Sequence, residues 1–220
     1  MCQSHSKPNR RDFLRLSLGI SLVPMGLLGF SRLSFASNIA ELEGVVTINR
    51  KPVTTESIVS IGDRIETKAN SRIVFTINKD AYRLGPYSKM TVKANKAGTE
   101  VFLNLLSGSM LGVFSKGNKR IHTHSATIGI RGTGVFLEVK HESTYFCTCF
   151  GETELNSIVS EPNAKDATHQ EIISSKHHSS RMITHAPVPE VSGSDMHGHT
   201  DAEIRQLAGL INLPLPSTFL

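Results

Sequence analysis

From Gly44 onward, polar and apolar positions alternate in short runs: VVTIN, SIVSIGDRIET, RIVFTINK, YRLGPYSKMTVK, EVFLNLLSGSMLGVF, RIHTHSATIGI, GVFLEVK and TYFCTCF. Val, Ile, Thr, Phe and Tyr dominate them, the residues that suit a pleated, half-buried surface. Turn residues punctuate them at short intervals: Asn49-Arg50-Lys51-Pro52, Gly62-Asp63, Asn78-Lys79-Asp80, Gly85-Pro86, Lys96-Ala97-Gly98, Ser107-Gly108 and Lys116-Gly117-Asn118. A period of two broken by such turns predicts an all-β domain over residues 37–155. No amphipathic helical pattern interrupts the runs, which argues against a βαβ architecture. The pattern leaves open whether the strands form a twisted sandwich or a solenoid-like β-roll.

After residue 155 the composition changes. Residues 156–199 form an extension rich in His, Ser and Pro, in which Glu171 to Ser174 and Arg181 to Thr184 are short apolar segments able to extend the sheet. Pro187, Pro189, Ser192 and Gly193 read as a loop. One helix is predicted in residues 200–220. Thr200-Asp201-Ala202-Glu203 fits a capping box, in which the threonine hydroxyl and the glutamate carboxylate each satisfy the other residue's backbone N–H. Ile204, Leu207, Ala208 and Ile211 share one face at helical spacing, so the helix is expected to dock on the sheet. Pro214 and Pro216 stop it.

The first 36 residues read differently. Arg10-Arg11-Asp12-Phe13-Leu14, an apolar run from Leu16 to Phe30 interrupted by Gly19, Pro24, Gly26 and Gly29, and then Ser34-Phe35-Ala36 have the order of a twin-arginine export signal with its cleavage site. The run falls short of the roughly 18 continuous apolar residues of a membrane span. Periplasmic localisation follows as an expectation, with no stable membrane span after the signal is removed. This segment also carries most of the charge imbalance. Without it, 19 basic and 18 acidic residues leave a net charge of +1 in place of +5, and a nucleic-acid partner loses its support. Cys2 departs with the signal, so Cys147 and Cys149 are the cysteines of the exported chain and no disulfide framework is expected.

Several landmarks recur in a recognisable order: Gly44-x-Val46, then Ile61-Gly62-Asp63-Arg64-Ile65-x-Thr67 with Ser71, then Arg83-Leu84-Gly85-Pro86-x-Ser88, then Ile121-x-Thr123 and Ala126-Thr127-Ile128-Gly129-Ile130-Arg131-Gly132-Thr133. Over residues 43–155 this order resembles the FecR domain family. The resemblance implies a β-rich periplasmic module, whose founding members relay iron-citrate occupancy from an outer-membrane receptor to a sigma factor. Such a regulator needs a cytoplasmic N-terminal segment and an uncleaved transmembrane helix, whereas nine residues precede Arg10 here and the apolar run looks cleavable. The expectation is therefore an exported FecR-like binding or sensory scaffold with an envelope protein as partner.

The candidate chemistry gathers around the cysteines. Cys147 and Cys149 are two apart in a strand-like run, so both thiols project from one face beside Tyr145. They can be two small buried hydrophobes, a strained disulfide, or a pair of thiolates holding a soft or borderline metal. His177, His178, His185, Met196, His197 and His199 supply further candidate ligands. Two sulfurs with one or two of these imidazoles would suit zinc, addition of Met196 would suit copper(I), and an iron centre is a third option. His122 and His124 read as neighbours on an exposed strand face. No zinc-protease His-Glu-x-x-His and no Gly-x-Ser-x-Gly elbow occurs, so no catalytic residue is assigned and a binding protein is favoured over an enzyme. Gly129, Gly132 and Gly134 have the wrong spacing for either common nucleotide-binding glycine loop. The export reading predicts that replacing Arg10 and Arg11 by Lys leaves the precursor in the cytoplasm, as measured by fractionation.

Overall fold

The structure, a computed structural model, describes residues 37–159, 167–184 and 190–220. The signal-like segment 1–36, together with His185, Pro187 and Pro189, lies outside the described residues. Among the described residues no helix is long and apolar enough to cross a membrane.

Fifteen strands and one helix follow in chain order: β1 (Ile39–Glu43), β2 (Val46–Ile48), β3 (Lys51–Pro52), β4 (Arg64–Thr67), β5 (Arg72–Ile77), β6 (Asp80–Leu84), β7 (Lys89–Ala94), β8 (Glu100–Val113), β9 (Asn118–His122), β10 (Ala126–Ile130), β11 (Gly134–Val139), β12 (Ser143–Val159), β13 (Ala167–Ser175), β14 (Ser179–Thr184), β15 (Val191–Ser194) and α1 (Asp201–Leu210). The all-β reading with one C-terminal helix holds, and the arrangement is a sandwich. One sheet runs β1-β5-β6-β8-β11-β12-β14-β15, entirely antiparallel. The other runs β3-β2-β4-β7-β8-β9-β10-β12-β13, with a single parallel pair, β8 with β9.

Two long strands belong to both sheets. Glu100 to Ser107 of β8 pair in the second sheet, and Gly108 to Val113 pair in the first. Ser143 to Phe150 of β12 pair in the first sheet, and Gly151 to Val159 in the second. The crossover residues are glycines with positive φ, +81° at Gly108 and +87° at Gly151. A strand bends sharply where the backbone enters the left-handed region, which costs least at glycine. Ser107-Gly108, expected as a turn, is thus a bend inside a 14-residue strand. A composition-based reading cannot tell the two apart, because both need the same residue.

The family landmarks serve as turn locks. Asp63 accepts hydrogen bonds from the Ser60 N–H at 2.7 Å and the Asn49 amide at 2.6 Å, and Ser71 Oγ accepts from the Val45 N–H at 2.8 Å. Thr67 Oγ1 donates to the Gly85 carbonyl at 2.6 Å and accepts from the Ser88 N–H at 2.8 Å, tying two turns together. Two sequence expectations change. RIHTHSATIGI is a β9–β10 hairpin rather than one run, because Thr123 turns it by pairing with Ala126 in both directions. His122 therefore lies in β9, hydrogen-bonded to Thr127 and stacked on Phe102, while His124 lies in the turn; they share no strand face. Ser192 and Gly193, read as loop, form part of β15.

The first sheet is apolar on both faces. Ile73, Phe75, Tyr82, Leu84, Met110, Val135, Leu137 and Phe146 point into the core between the sheets. Their sequence neighbours Val74, Ala81, Leu111, Phe136, Tyr145 and Cys147 point the other way, into a second core. Strands buried on both sides read as continuous apolar runs, as VFL in β11 and YFC in β12 do. The second core is closed by Ile204, Leu207 and Ala208 of α1 and by Phe219.

Helix α1 is capped at both ends. Thr200 and Glu203 make the full capping box. At the other end Asn212 adopts φ +52°, and the Leu213 and Asn212 amides donate to the Ala208 and Gly209 carbonyls, a Schellman arrangement that ends the helix before Pro214. The bends allow a direct test. In Gly108→Ala the added methyl would lie 2.4 Å from the Ser88 backbone at a positive φ, so urea denaturation should show a loss of at least about 2 kcal/mol. Gly193→Ala meets nothing within 4 Å and should change stability by no more than about 0.5 kcal/mol.

Candidate metal centre

Tyr145, Cys147 and Cys149 occupy alternate positions on β12 and face the second core, beneath the C-terminal segment. Both cysteines are free and fully buried. Two loops bring imidazoles over them. The turn from β13 to β14 carries His178 with φ +48°, a left-handed conformation that a non-glycine residue adopts at some cost. Its N–H donates to the Cys149 carbonyl at 2.9 Å, which sets the ring above Cys147. The loop between β15 and α1 carries His199, one residue before the N-cap. Gly198, with φ +77°, lets this loop press onto Phe136, since a Cβ there would stand 2.7 Å from the ring. His199 then stacks on Phe136 with centroids 4.6 Å apart.

The four donor atoms of Cys147, Cys149, His178 and His199 lie within 4.8 Å of one another. Cys147 Sγ is 3.5 Å from His178 Nδ1, Cys149 Sγ is 3.3 Å from His199 Nε2, and the two imidazole nitrogens are 3.2 Å apart. A tetrahedral zinc ion with bonds of about 2.3 Å to sulfur and about 2.0–2.1 Å to nitrogen separates S and N by about 3.5 Å and N and N by about 3.3–3.4 Å. The protein's spacings match those edges to within a few tenths of an ångström.

The outer nitrogens of both rings are already engaged. His178 Nε2 donates to Asp201 Oδ1 at 2.8 Å, and His199 Nδ1 donates to the His197 carbonyl at 2.9 Å. The outer nitrogen of each ring thereby has a partner of its own, and the inner nitrogens, Nδ1 of His178 and Nε2 of His199, face the cluster, the arrangement that metal-binding histidines use. Asp201 sits in the first turn of α1 and also receives His177 Nε2 at 3.0 Å. The hydrogen bond from His178, followed by that from His177, outweighs partial burial and lowers the Asp201 carboxyl.

The electrostatics favour a thiolate at the centre. A hydrogen bond from the Cys149 thiol pulls Cys147 down to about 3 against the effect of burial, with His178, His199 and Ser180 assisting. Burial raises Cys149. For His178, burial acts downward but the hydrogen bonds to Cys147 and Asp201 prevail, so it is raised. Two thiolates and two neutral imidazoles would offer a divalent cation a site of zero net charge, which limits the cost of burying it.

Of the eight candidate ligands, four converge. His177 stays half exposed and reaches Asp201, and Met196 is 41% exposed. His197 contributes backbone: its carbonyl orients His199, its N–H donates to the Tyr145 hydroxyl at 3.2 Å, and its ring packs on Tyr145. Tyr145 in turn shares a hydrogen bond with Ser180 at 2.8 Å. His185 lies outside the described residues. Sequence reasoning saw Asp201 only as part of a helix start; its signal was the position of an acid two residues after His199. Arg83 was seen only as a family landmark, yet its guanidinium pairs with Glu203 and also donates to the Gly198 carbonyl at 3.3 Å. Burial lowers Arg83 to about 10, with repulsion from Arg72 adding to the effect.

Residues 63–149 match the family model described as FecR protein. The matched stretch ends on Cys149, so it contains both cysteines and neither His178 nor His199. No curated protein matches the chain. Two crystal structures of a candidate anti-sigma factor from Parabacteroides distasonis ATCC 8503 are similar in fold. One has a TM-score of 0.51 at 9% identity and covers 65% of this chain and 64% of that one. The other has a TM-score of 0.49 at 9% identity and covers 60% and 59%. The chain thus spans about two thirds of the length of the first of these neighbours or slightly less. At such identity the likeness is one of fold. Over residues 63–149 this chain is similar to the family described as FecR protein.

Proposed function

We propose that this protein is an exported FecR-type sensory scaffold that binds one zinc ion through Cys147, Cys149, His178 and His199. The observation that carries this reading is the convergence of four donors within 4.8 Å of one another, three of their separations lying near tetrahedral edges, with the outer nitrogen of each histidine already hydrogen-bonded. The S2N2 set suits zinc, and two thiolates balance its charge in a buried site. Copper(I) with the same two thiolates and two imidazoles would leave the cluster with a net negative charge. The metal's role in this reading is binding and organisation: four protein ligands fill a tetrahedral ion and leave no open position for a substrate.

A periplasmic location and an envelope protein partner complete the proposal. They rest on the twin-arginine pattern and on the FecR domain. The fold neighbours are candidate anti-sigma factors, which is consistent with a module that meets other proteins.

Protein purified from the periplasm should contain about one equivalent of zinc by elemental analysis, and cobalt substitution should give the thiolate charge-transfer bands of a tetrahedral site. The double variant Cys147→Ser/Cys149→Ser should lose both signals. Asp201→Asn leaves all four ligands in place but weakens the support of His178, so chelator competition should show zinc affinity about 10–100-fold lower. Equal substoichiometric metal in wild type and double variant would sink the proposal; stoichiometric copper or iron in its place would overturn the choice of zinc.

A further inference from the structure

The ligands come from two parts of the chain with different attachments. Cys147 and Cys149 belong to β12, in the middle of the first sheet, and His178 to the turn that leads back into it at β14. His199 alone comes from the segment after β15, immediately before the N-cap of α1. The segment that follows covers one whole apolar face of the sheet: Ile204, Leu207, Ala208 and Phe219 are buried against Val74, Ala81, Leu111, Val113, Phe136 and Phe150.

The attachments of this cover are concentrated at its N-terminal end, next to the cluster. Asp201 holds His177 and His178, Glu203 holds Arg83, and His197 holds Tyr145 through its N–H. Farther along, the polar ties are a Gln206–Glu41 side-chain contact, a 3.0 Å bond from Arg205 to the Phe219 carbonyl within the cover itself, and a 2.7 Å bond from Thr218 to the Lys176 carbonyl. A helix of ten residues is too short to persist by itself in water. Its order depends on staying docked.

We infer that the metal centre is a latch for the C-terminal cover: the ion joins His199 to the sheet, and its loss releases α1 and bares the apolar face beneath. This rests on the metal reading above and gives it an output, since occupancy of the site would then set whether that face is covered. The coupling must be reciprocal, because any group that favours the docked cover also favours the ion.

Hydrogen exchange on the full chain, with zinc about 100-fold above its dissociation constant and again after chelation, tests the latch. Linkage then predicts that protection of the α1 amides falls about a hundredfold on chelation. Amides of β8 and β11 should keep most of theirs, and binding of an apolar dye should rise. The variant Leu207→Ala touches no ligand, yet it should lower zinc affinity about tenfold through the loosened cover. His199→Ala should behave as the chelated protein does even with zinc present.

Stoichiometric zinc with α1 protection unchanged on its removal would falsify the latch and leave the metal reading intact. Protection lost equally from α1, β8 and β11 would also overturn it, because the ion would then stabilise the domain as a whole. If wild type binds no stoichiometric zinc under any of these conditions, the metal reading itself fails and the latch with it.

Discussion

A sheet that is apolar on both faces needs two covers, and most of this structure follows from that constraint. The first cover is the second sheet, reached by strands β8 and β12, which bend at Gly108 and Gly151 and carry the hydrogen-bonded ladder from one layer to the other. The second cover is the C-terminal helix with Phe219. Burying an apolar side chain contributes about 1.5–3 kcal/mol relative to leaving it exposed. Leaving Val74, Leu111, Phe136 and Phe150 open to water would therefore cost far more than any single polar contact in the cover supplies. The helix is part of the fold's hydrophobic economy, although it lies beyond the matched family stretch.

The candidate metal centre lies where that second core meets its cover. Buried cysteines are ordinarily inert small hydrophobes. Here the surrounding geometry distinguishes them: two histidines reach them, one from a strained left-handed position, and each has its outer nitrogen engaged by a hydrogen-bond partner. Asp201 joins two roles, since the same carboxylate that favours the N-terminus of α1 through the helix dipole also orients His178. The organisation of the site and the docking of the helix are thus built from the same few residues.

Much of this was legible in the chain. Alternating runs rich in Val, Ile and Phe require strands, the capping box placed α1 at its true start, and Cys147-x-Cys149 had to present both thiols on one face because a strand has a period of two. Among the histidines the reading was broader. Five of them stood as candidate ligands, of which the fold brings His178 and His199 to the thiols, and His122 and His124 were held together on a strand that turns between them.

Local chemistry, then, determined the class of fold, the helix and its caps, and the placing of the two thiols on one face, because each depends on neighbours within a few positions along the chain. Which histidines close on the thiols was decided by the tertiary structure. His178 lies 31 residues from Cys147 and His199 lies 50 from Cys149. Separations of that size are bridged only by the pairing of β12 with β14 and by the need to cover the outer face of the sheet. The same reason explains why Ser107-Gly108 is a bend: glycine permits both a turn and a continuous bent strand, and the choice fell to the demand that one strand serve two sheets.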